Sequence, residues 1–414
     1  MKWKLVIALL ALVAVVAAQS GGGAYGSAQV WWDSGERISF PWQEEYNNPE
    51  GSVGVFNQNG MVRTQEHAFF EALGTNGRAC ITCHQPSNGM SISTITLAER
   101  WKQTDGKDPI FAAFDGSNCP DLQQAEMKSH SLLLERGLFR IPLPWPPKGV
   151  TPEFRLEVVS DPAGCNKAGM VSVYRRPRVA ANLKYVGTLM ADGREATLES
   201  QAISAAFGHE QAAAHPTVEQ LRQIVAFEKQ LFMAQITDIR AGLLDERDGP
   251  ALLGPENVAL GKPLNARISF ASWKEPQDDR VTGLQRDFRQ SVARGSEVFF
   301  ANCAGCHHEG MATAPMNIGT TDVDGPSPLP VFRITCGDKK IESHDPGRAL
   351  ITGKCADVGA IVMQQFRGLA ARAPYFSNGS AKTLEDVVGY YERRYQMAFT
   401  AQQKQDLVNF LKVL

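Results

Sequence analysis

The sequence predicts a mainly α-helical fold of two domains, with a partly β-stranded and irregular insertion in the first domain. The chain has 414 residues, and domains usually contain about 100–200 residues, so more than one is expected. One short cysteine–histidine motif occurs once in each half of the chain. Capped, amphipathic helical patterns also outnumber the alternating patterns that indicate strands.

The composition is that of a folded globular protein. Hydrophobic residues make up 43% and charged residues 21% of the chain, which excludes wholesale disorder. The formal net charge is −2. A nucleic-acid-binding protein of this size is normally basic, so that class is excluded.

Residues 1–18 have the pattern of a secretory signal peptide. Two lysines precede an unbroken apolar run of 14 residues, 5–18, which is shorter than the roughly 20 residues that span a membrane. An uncleaved N-terminal anchor is the alternative. No later segment is apolar enough to cross a bilayer, so we expect a soluble protein in an oxidising compartment, the bacterial periplasm.

The first half of the mature chain divides into an arm and a domain. Residues 19–60 show no sustained periodicity, which predicts an irregular arm. The first domain is expected over residues 61–245, with a short helical run at 66–72. Its insertion, about residues 102–170, is Pro-rich and contains an alternating segment at 154–160 that predicts one or two strands. A helix capped by Thr217 is predicted over residues 217–235.

The second half is expected to begin with a linker. Residues 246–284 are rich in glycine, proline and charge, which is typical of a linker. The second domain follows at residues 285–414. Its last two helices are predicted at 383–395 and 400–414, each beginning at a threonine cap.

The two copies of the motif are Cys80-x-x-Cys83-His84 and Cys303-x-x-Cys306-His307. This spacing is that of c-type haem attachment, in which two thiols bond to the haem vinyl groups and the adjacent imidazole reaches the iron. A zinc site and a reducible thiol pair are the alternatives. The motifs therefore predict two covalently attached haem c groups in two cytochrome c-like haem domains.

Four further cysteines are candidates for disulfide bonds. Cys119, Cys165, Cys336 and Cys355 allow three pairings, with free buried thiols as the alternative. Local pairing, Cys119 with Cys165 and Cys336 with Cys355, closes the shortest loops and is our prediction. Each bridge is expected to contribute about 3–4 kcal/mol by restricting the unfolded chain.

Two longer segments add a family resemblance. Residues 192–202 read DGREATLESQA and residues 367–379 read RGLAARAPYFSNG. Together with the two haem motifs, they resemble the bacterial di-haem cytochrome c peroxidase superfamily, which also contains the quinone-cofactor maturation enzyme MauG. The likeness covers about residues 66–98 and 174–414 but not the insertion. In this superfamily one haem receives electrons and the other reacts with peroxide.

The resemblance implies a second ligand for the iron of the C-terminal haem. Peroxidases of the superfamily use a methionine there and MauG uses a tyrosine, and the matching position in this chain is Tyr391. A phenolate ligand lowers the reduction potential because it stabilises ferric iron. Tyr391 as an ordinary core residue is the alternative, and Met397 is the rival ligand, followed by Met316 and Met363.

The resemblance also implies an open N-terminal haem. Where relatives carry a removable distal histidine, this chain has Val171. The acid–base glutamate of the family lies about ten residues beyond the glutamine that matches Gln201. His209 or Glu210 in that region are therefore expected to move protons for peroxide cleavage. His209 as an iron ligand and a solvated helix end are the alternatives.

These features predict a periplasmic di-haem oxidoreductase of the peroxidase type. The expected partners are hydrogen peroxide or dioxygen and a small periplasmic electron donor such as a cytochrome or a cupredoxin, and the resemblance allows a homodimer. Met190-Ala191 replaces the tryptophan that relatives place between their haems, which weakens any expectation of electron transfer through that residue. The alternatives are a non-catalytic electron-transfer cytochrome and an oxygenase-type or protein-modifying enzyme.

Overall fold

The structure is a computed structural model. It describes residues 31–246, 249–251, 253–261, 270–274, 281–307 and 314–414. The predicted signal peptide, the beginning of the predicted arm and parts of the predicted linker lie outside the described residues.

The described part of the chain contains eleven α-helices. Five helices begin after a threonine whose hydroxyl accepts a hydrogen bond from a backbone amide of the first turn, and such caps contribute about 1 kcal/mol each. The helices are α1 Cys80–Cys83, α2 Thr94–Thr104, α3 Ser131–Arg136, α4 Leu198–Gly208, α5 Val218–Gln230, α6 Pro255–Ala259, α7 Ala271–Lys274, α8 Gly283–Asn302, α9 Ala349–Thr352, α10 Leu384–Arg394 and α11 Ala401–Lys412.

Short strands form several small antiparallel sheets between these helices. Their orders are β1-β4, β2-β3-β8-β9, β5-β7, β12-β11-β6 and β10-β13. The strands are β1 Ser39–Phe40, β2 Gln43–Asn48, β3 Gly51–Asn57, β4 Val62–Arg63, β5 Phe139–Pro144, β6 Arg155–Ser160, β7 Met170–Arg175, β8 Leu231–Asp238, β9 Gly242–Leu243, β10 Pro315–Met316, β11 Val331–Cys336, β12 Lys339–Ser343 and β13 Ile361–Val362.

The fold is therefore mixed, although helices contain more of the described residues than strands do. The prediction of a mainly α-helical chain underestimated the strands. Most strands pair with partners that are distant in sequence, so no local periodicity announces them.

Two local predictions in the first half were wrong. The helix predicted over residues 217–235 ends at Gln230, and Leu231–Asp238 forms β8, which pairs with β3. Tertiary pairing overrides the helical periodicity there. Residues 66–72, predicted as helical, form turns.

The arm is also less irregular than predicted. Its described part contributes β1, β2 and β3, and β3 is a central strand of the four-stranded sheet, between β2 and β8. Trp32, Phe40 and Tyr46 are buried in the same apolar cluster as Phe69 and Phe227. Apolar burial thus fixes the arm against the element that precedes the first haem motif.

The insertion joins the two halves of the chain. Its strand β6 pairs with β11 of the second half, and β5 pairs with β7. The predicted local disulfides are confirmed, with Cα–Cα distances of 5.4 Å for Cys119–Cys165 and 5.9 Å for Cys336–Cys355. Both lie close to these strands, one within the insertion and one beside the β11–β12 hairpin.

The two C-terminal helices lie where they were predicted and pack beside the second haem motif. Helix α11 lies along α8, and the contact includes Gly295, whose backbone approaches Asp406. Helix α8 ends at Asn302, so the motif starts where this helix stops. The packing of α8, α10 and α11 therefore positions the second motif.

Candidate haem-binding sites

The first motif lines a cavity of about 1350 Å³, measured with its open mouth. Cys80 and Cys83 lie on the single turn of α1, and both are free thiols. His84 follows at the end of the turn, where its Nδ1 lies 3.2 Å from the carbonyl oxygen of Met90. Burial lowers the pKa of His84 to about 4, so the ring is neutral at neutral pH. A neutral imidazole with a backbone-bound Nδ1 presents Nε2 to a metal.

The second motif lines an adjoining cavity of about 1540 Å³, also measured with its mouth. Cys303 caps the end of α8, and His307 packs against Phe366 with ring centres 4.4 Å apart. The buried Nδ1 of His307 has no hydrogen-bond partner among the described residues. Burial lowers the pKa of His307 to about 4, which again leaves a neutral imidazole.

Helix α10 brings Tyr391 opposite His307. The Tyr391 hydroxyl lies 3.4 Å from Nε2 of His307, the atom that c-type motifs use for iron. Met397, Met316 and Met363 line the same cavity. The candidate ligands predicted from the sequence are thus brought together, and Tyr391 is the one that contacts the histidine.

The predicted acid–base residues lie in the first cavity. Gln201, His209 and Glu210 line it together with Cys80 and His84. Val171 lies elsewhere, packed in a separate apolar cluster with Phe332. Met190 and Ala191 lie in the wall of the first cavity.

Glu210 lies beside the first attachment cysteine. Its carboxylate accepts a hydrogen bond from the backbone amide of Leu73, at 3.0 Å, and from the Cys80 thiol, at 3.4 Å. Burial raises the pKa of Glu210 to about 7. When Cys80 carries a thioether it has no proton to donate, so Glu210 would keep only the amide bond.

His209 lies at the C-terminal end of α4 and is held by residues that sequence reasoning missed. Its Nδ1 lies 2.7 Å from a carboxylate oxygen of Asp115. Asp115 is fully buried and forms an ion pair with the buried Arg78. No sequence signal pointed to Asp115, because it lies in the insertion that the family resemblance does not cover.

A second buried carboxylate of the first cavity was also missed. Glu228 on α5 lines the cavity, and its Oε2 has no hydrogen-bond partner among the described residues. Burial, and then the charge of Glu199, raise the pKa of Glu228 to about 8. Its helix was predicted, but an apolar face at helical spacing gives no reason to expect a carboxylate in the core.

Buried arginines surround the two cavities without carboxylate partners. Arg176, Arg367 and Arg372 are buried, the partly exposed Arg178 lines the first cavity, and none forms an ion pair within the described residues. Burial and the charge of Arg372 lower the pKa of Arg176 to about 9. Nε and Nη1 of Arg367 have no hydrogen-bond partner in the part of the chain that the structure describes. Buried positive charge without an anion is costly.

These observations test whether haem fits. A haem carries two carboxylates, so two haems would supply anions to this arginine-rich region. The two cavities are open to solvent. Each presents two thiols and a neutral imidazole, as covalent attachment requires. The residues present therefore fit the predicted cofactor.

The two cavities share a wall. Arg176, Pro177, Gln364 and Gln365 line both of them. Groups bound in the two cavities would thus be separated by these four residues.

Within the described ranges, no three histidine, cysteine or acidic side chains cluster as a metal site, whereas the zinc interpretation requires four ligands together. None of the described helices has the length and apolar character needed to cross a membrane.

Each of the two cavities is lined by one CxxCH motif, an arrangement that suits proteins with covalently attached haem. Comparison with known proteins finds one relative of this kind. Cytochrome-c peroxidase IdrP1 of Pseudomonas sp. (strain SCT) is 25% identical over 267 residues, which cover 58% of this chain and 68% of the relative. The chain thus resembles the bacterial di-haem cytochrome c peroxidase and MauG superfamily, as its motifs predicted.

The remaining comparisons add little. No protein-family model matches the chain. A MauG-like protein associated with microbial copper homeostasis aligns with 76% of this chain and 88% of its own, at 18% identity and a TM-score of 0.37. Hydrazine synthase of Kuenenia stuttgartiensis aligns with 76% and 86%, at 14% identity and a TM-score of 0.35. Both TM-scores are too low to indicate a shared fold.

Proposed function

We propose that the protein is a periplasmic di-haem oxidoreductase of the cytochrome c peroxidase and MauG type. The observation that carries the proposal is the pair of adjoining cavities, each lined by a complete CxxCH motif. Resemblance to a cytochrome-c peroxidase supports the choice of reaction class. The reaction consumes hydrogen peroxide, two electrons and two protons and yields two molecules of water.

The chain supplies the haem ligands from both halves. Cys80 and Cys83 would attach the first haem, and His84 would be a ligand of its iron. Cys303, Cys306 and His307 would hold the second haem and Tyr391 would be a further ligand of its iron, as the 3.4 Å contact between the Tyr391 hydroxyl and Nε2 of His307 supports. When bound, the haem groups supply redox-active iron, one open to peroxide and the other able to relay electrons.

Protons are moved by the side chains of the first cavity. In the proposal, Nε2 of His209 accepts a proton from one oxygen of hydrogen peroxide and returns it to the other. Glu210 adjoins His209 in sequence and lines the same cavity, so it exchanges protons with this region. Gln201 orients the peroxide by hydrogen bonding from α4.

An electron-transfer cytochrome is the second candidate, and one observation favours it. His209 lines the same cavity as His84, and its Nδ1 already contacts Asp115. A histidine held in this way presents Nε2 as a metal ligand equally well. With His209 bound to iron, both haems would be six-coordinate and only electrons would be exchanged.

Electron paramagnetic resonance of the fully oxidised protein, before and after hydrogen peroxide is added, separates the two functions. For the proposed oxidoreductase we expect a high-spin ferric signal that disappears when peroxide is added. Two low-spin signals that ignore peroxide, both before and after one-electron reduction, would establish the electron carrier instead.

A variant pair tests the proton-transfer residues directly. His209→Ala with Glu210→Gln is expected to slow peroxide consumption roughly 100- to 10,000-fold, the usual contribution of general acid–base catalysis. Glu219→Gln, which alters an exposed carboxylate on α5, is the matched control. Undiminished turnover in the double variant would remove both residues from the mechanism.

A further inference from the structure

We propose that Asp115 is the positioning residue of the first cavity, holding His209 so that only its Nε2 faces the reacting molecule. This inference rests on the proposed function, in which His209 moves the peroxide proton. It also gives the insertion, which the family resemblance does not cover, a part in the chemistry.

The hydrogen bond between the two residues sets the tautomer of the histidine. Oδ2 of Asp115 lies 2.7 Å from Nδ1 of His209. Arg78 and His209 hold the pKa of Asp115 below its ordinary value, although burial raises it, so the carboxylate is ionised. An ionised carboxylate only accepts hydrogen bonds. In the neutral ring the proton therefore lies on Nδ1 and the lone pair on Nε2.

The carboxylate is itself held rigidly. Its other oxygen pairs with Arg78, which also donates from Nε to the carbonyl oxygen of Pro109 and from Nη2 to that of Ile110, both at 2.7 Å. Arg78 lies two residues before Cys80 in the chain. Arg78 thus connects the pair formed by Asp115 and His209 to the first haem motif as well as to the insertion.

The backbone on either side of Asp115 is closely packed. A Cβ atom on Gly116 would lie 2.4 Å from the carbonyl oxygen of Ile110 and 2.8 Å from Nη2 of Arg78. The backbone amide of Arg140 on β5 donates to the Asp115 carbonyl oxygen at 2.8 Å. Asp115 consequently has little freedom to follow His209, and it is the histidine that is oriented.

His209 lines the cavity and is partly exposed, whereas Asp115 is not. The His209 side chain is 34% exposed, whereas that of Asp115 is 0% exposed. Because Nδ1 is engaged with the buried carboxylate and the ring lines the cavity, Nε2 is the nitrogen left to meet a ligand. Once Nε2 accepts a proton, the adjacent negative charge stabilises the resulting imidazolium, as a buried aspartate does in other histidine dyads.

The test uses the protein with both haems attached and compares Asp115→Asn with Asp108→Asn. Asp108 is a matched control, since it is also a buried carboxylate of the insertion and pairs with an arginine, Arg100, but does not contact His209. Two reactions are followed by stopped-flow absorption: reaction with hydrogen peroxide, and binding of cyanide to the ferric protein. Cyanide binding needs no turnover, yet hydrogen cyanide must give its proton to a base when the anion binds.

Asp115→Asn is expected to slow both reactions about 10- to 100-fold, the usual effect of removing a residue that orients an active histidine. Asp108→Asn should leave both rates within about twofold. Adding Asp115→Asn to His209→Ala should cost no further rate, since the two residues act as one unit. Equal rates in Asp115→Asn and Asp108→Asn would overturn the inference while leaving the proposed function intact.

Two further results are informative. Faster cyanide binding in Asp115→Asn, with a wild type that ignores peroxide, would identify His209 as an iron ligand and would end both proposals. If Asp115→Asn does not fold, Asp115→Glu keeps the charge beside Arg78 but displaces the carboxylate from His209. It is then expected to slow both reactions, and unchanged rates would reject the positioning role.

Discussion

The Tyr391 hydroxyl lies 3.4 Å from Nε2 of His307, and this contact leads to a prediction for the Tyr391 side chain alone. Tyr391→Phe is expected to change the absorption and electron paramagnetic resonance signals of the second haem only. If Tyr391 is the proposed ligand, its loss removes a phenolate that stabilises ferric iron, so the potential of that haem should rise by on the order of 100 mV, within the roughly 0.8 V that axial ligands span. Spectroelectrochemical titration measures both effects.

The neighbouring tyrosine provides the control. The Tyr390 hydroxyl donates to the carbonyl oxygen of Ile318 at 2.7 Å, and Tyr390 does not line the second cavity. Tyr390→Phe should therefore leave the haem spectra unchanged. If Tyr391→Phe is equally silent, Met397→Leu becomes the variant to examine, because Met397 lines the same cavity.

The buried Glu228 leads to a second prediction, which concerns how the stability of the protein depends on pH. Its pKa is raised from 4.5 to about 8 by burial and by Glu199. A carboxyl with a raised pKa in the folded state stabilises the fold fully at low pH, and this contribution is lost as the pH rises from about 4.5 to 8. Glu228→Gln removes the ionisable group. Compared with the wild type, Glu228→Gln should therefore raise the free energy of unfolding by a few kcal/mol more at pH 8.5 than at pH 4.5. One pKa unit corresponds to about 1.4 kcal/mol.

Chemical unfolding at the two pH values measures this difference. Glu219 lies on the same helix but is exposed, and its pKa is lowered by its hydrogen bond with Arg222. Glu219→Gln should therefore give no stabilisation at high pH. A Glu228→Gln protein with the same pH profile as the wild type would show that Glu228 is ionised in the native cavity.

Some residues of the candidate site belong to one short sequence motif, whereas others depend on contacts between distant parts of the sequence. Cys80, Cys83 and His84 could be proposed as a haem-attachment site from the sequence because the CxxCH pattern lies within one short segment. Asp115 could not, because its role depends on a contact with His209, 94 positions away in the sequence. A contact at that separation leaves no trace in spacing or periodicity.

At the scale of elements, the packing of α8 on α11 controls the second site. A Cβ atom on Gly295 would lie 1.9 Å from the carbonyl oxygen of Asp406 and 2.9 Å from Cβ of Phe410. Gly295→Ala must separate the two helices, and such overpacking costs about 1–3 kcal/mol or more. Because α8 leads directly into Cys303, we also expect a changed spectrum of the second haem.

A second glycine of the same helix separates packing from helix propensity. Gly283 is the first residue of α8, and a Cβ atom there would meet nothing within 4 Å. Gly283→Ala should change the free energy of unfolding by no more than about 1 kcal/mol, in the stabilising direction. Equal effects of the two substitutions would contradict the close packing of α8 and α11.

Helices with clear caps were predictable as elements, whereas paired strands were not. Helices α10 and α11 start at Thr383 and Thr400, where the threonine and the residue three positions later form a capping box. Strand β8 instead continues an amphipathic pattern that suits a helix, and it is a strand because β3 lies beside it. The arm that supplies β3 shows no strand pattern strong enough to announce that pairing.

At the scale of the whole molecule, the two halves meet around one charged region. Four residues line both cavities, strand β6 of the insertion pairs with β11 of the second half, and buried arginines lie around the shared wall. Among these is Arg372, which donates to the backbone carbonyl oxygens of Arg367 and Gln365 and lines the second cavity. Burying this much positive charge costs free energy, which nearby anions would offset.

If a haem carboxylate supplies that anion, the effect of Arg372→Met depends on whether the second haem is attached. With haem attached, loss of the positive charge should lower the potential of the second haem by on the order of 60 mV, equivalent to about 1.4 kcal/mol for one electron. In a Cys303→Ala, Cys306→Ala background, which cannot attach that haem, the same substitution should raise the stability, because it removes a buried charge that has no carboxylate partner.

The opposite signs in the two backgrounds are the discriminating result. Arg393→Met is the control, since Arg393 is exposed on α10 and solvent screens its charge. It should change neither the potential nor the stability in either background. If Arg372→Met destabilises both backgrounds equally, Arg372 serves to anchor the backbone through Arg367 and Gln365, and the anion near the shared wall must bind to Arg176 or Arg178 instead.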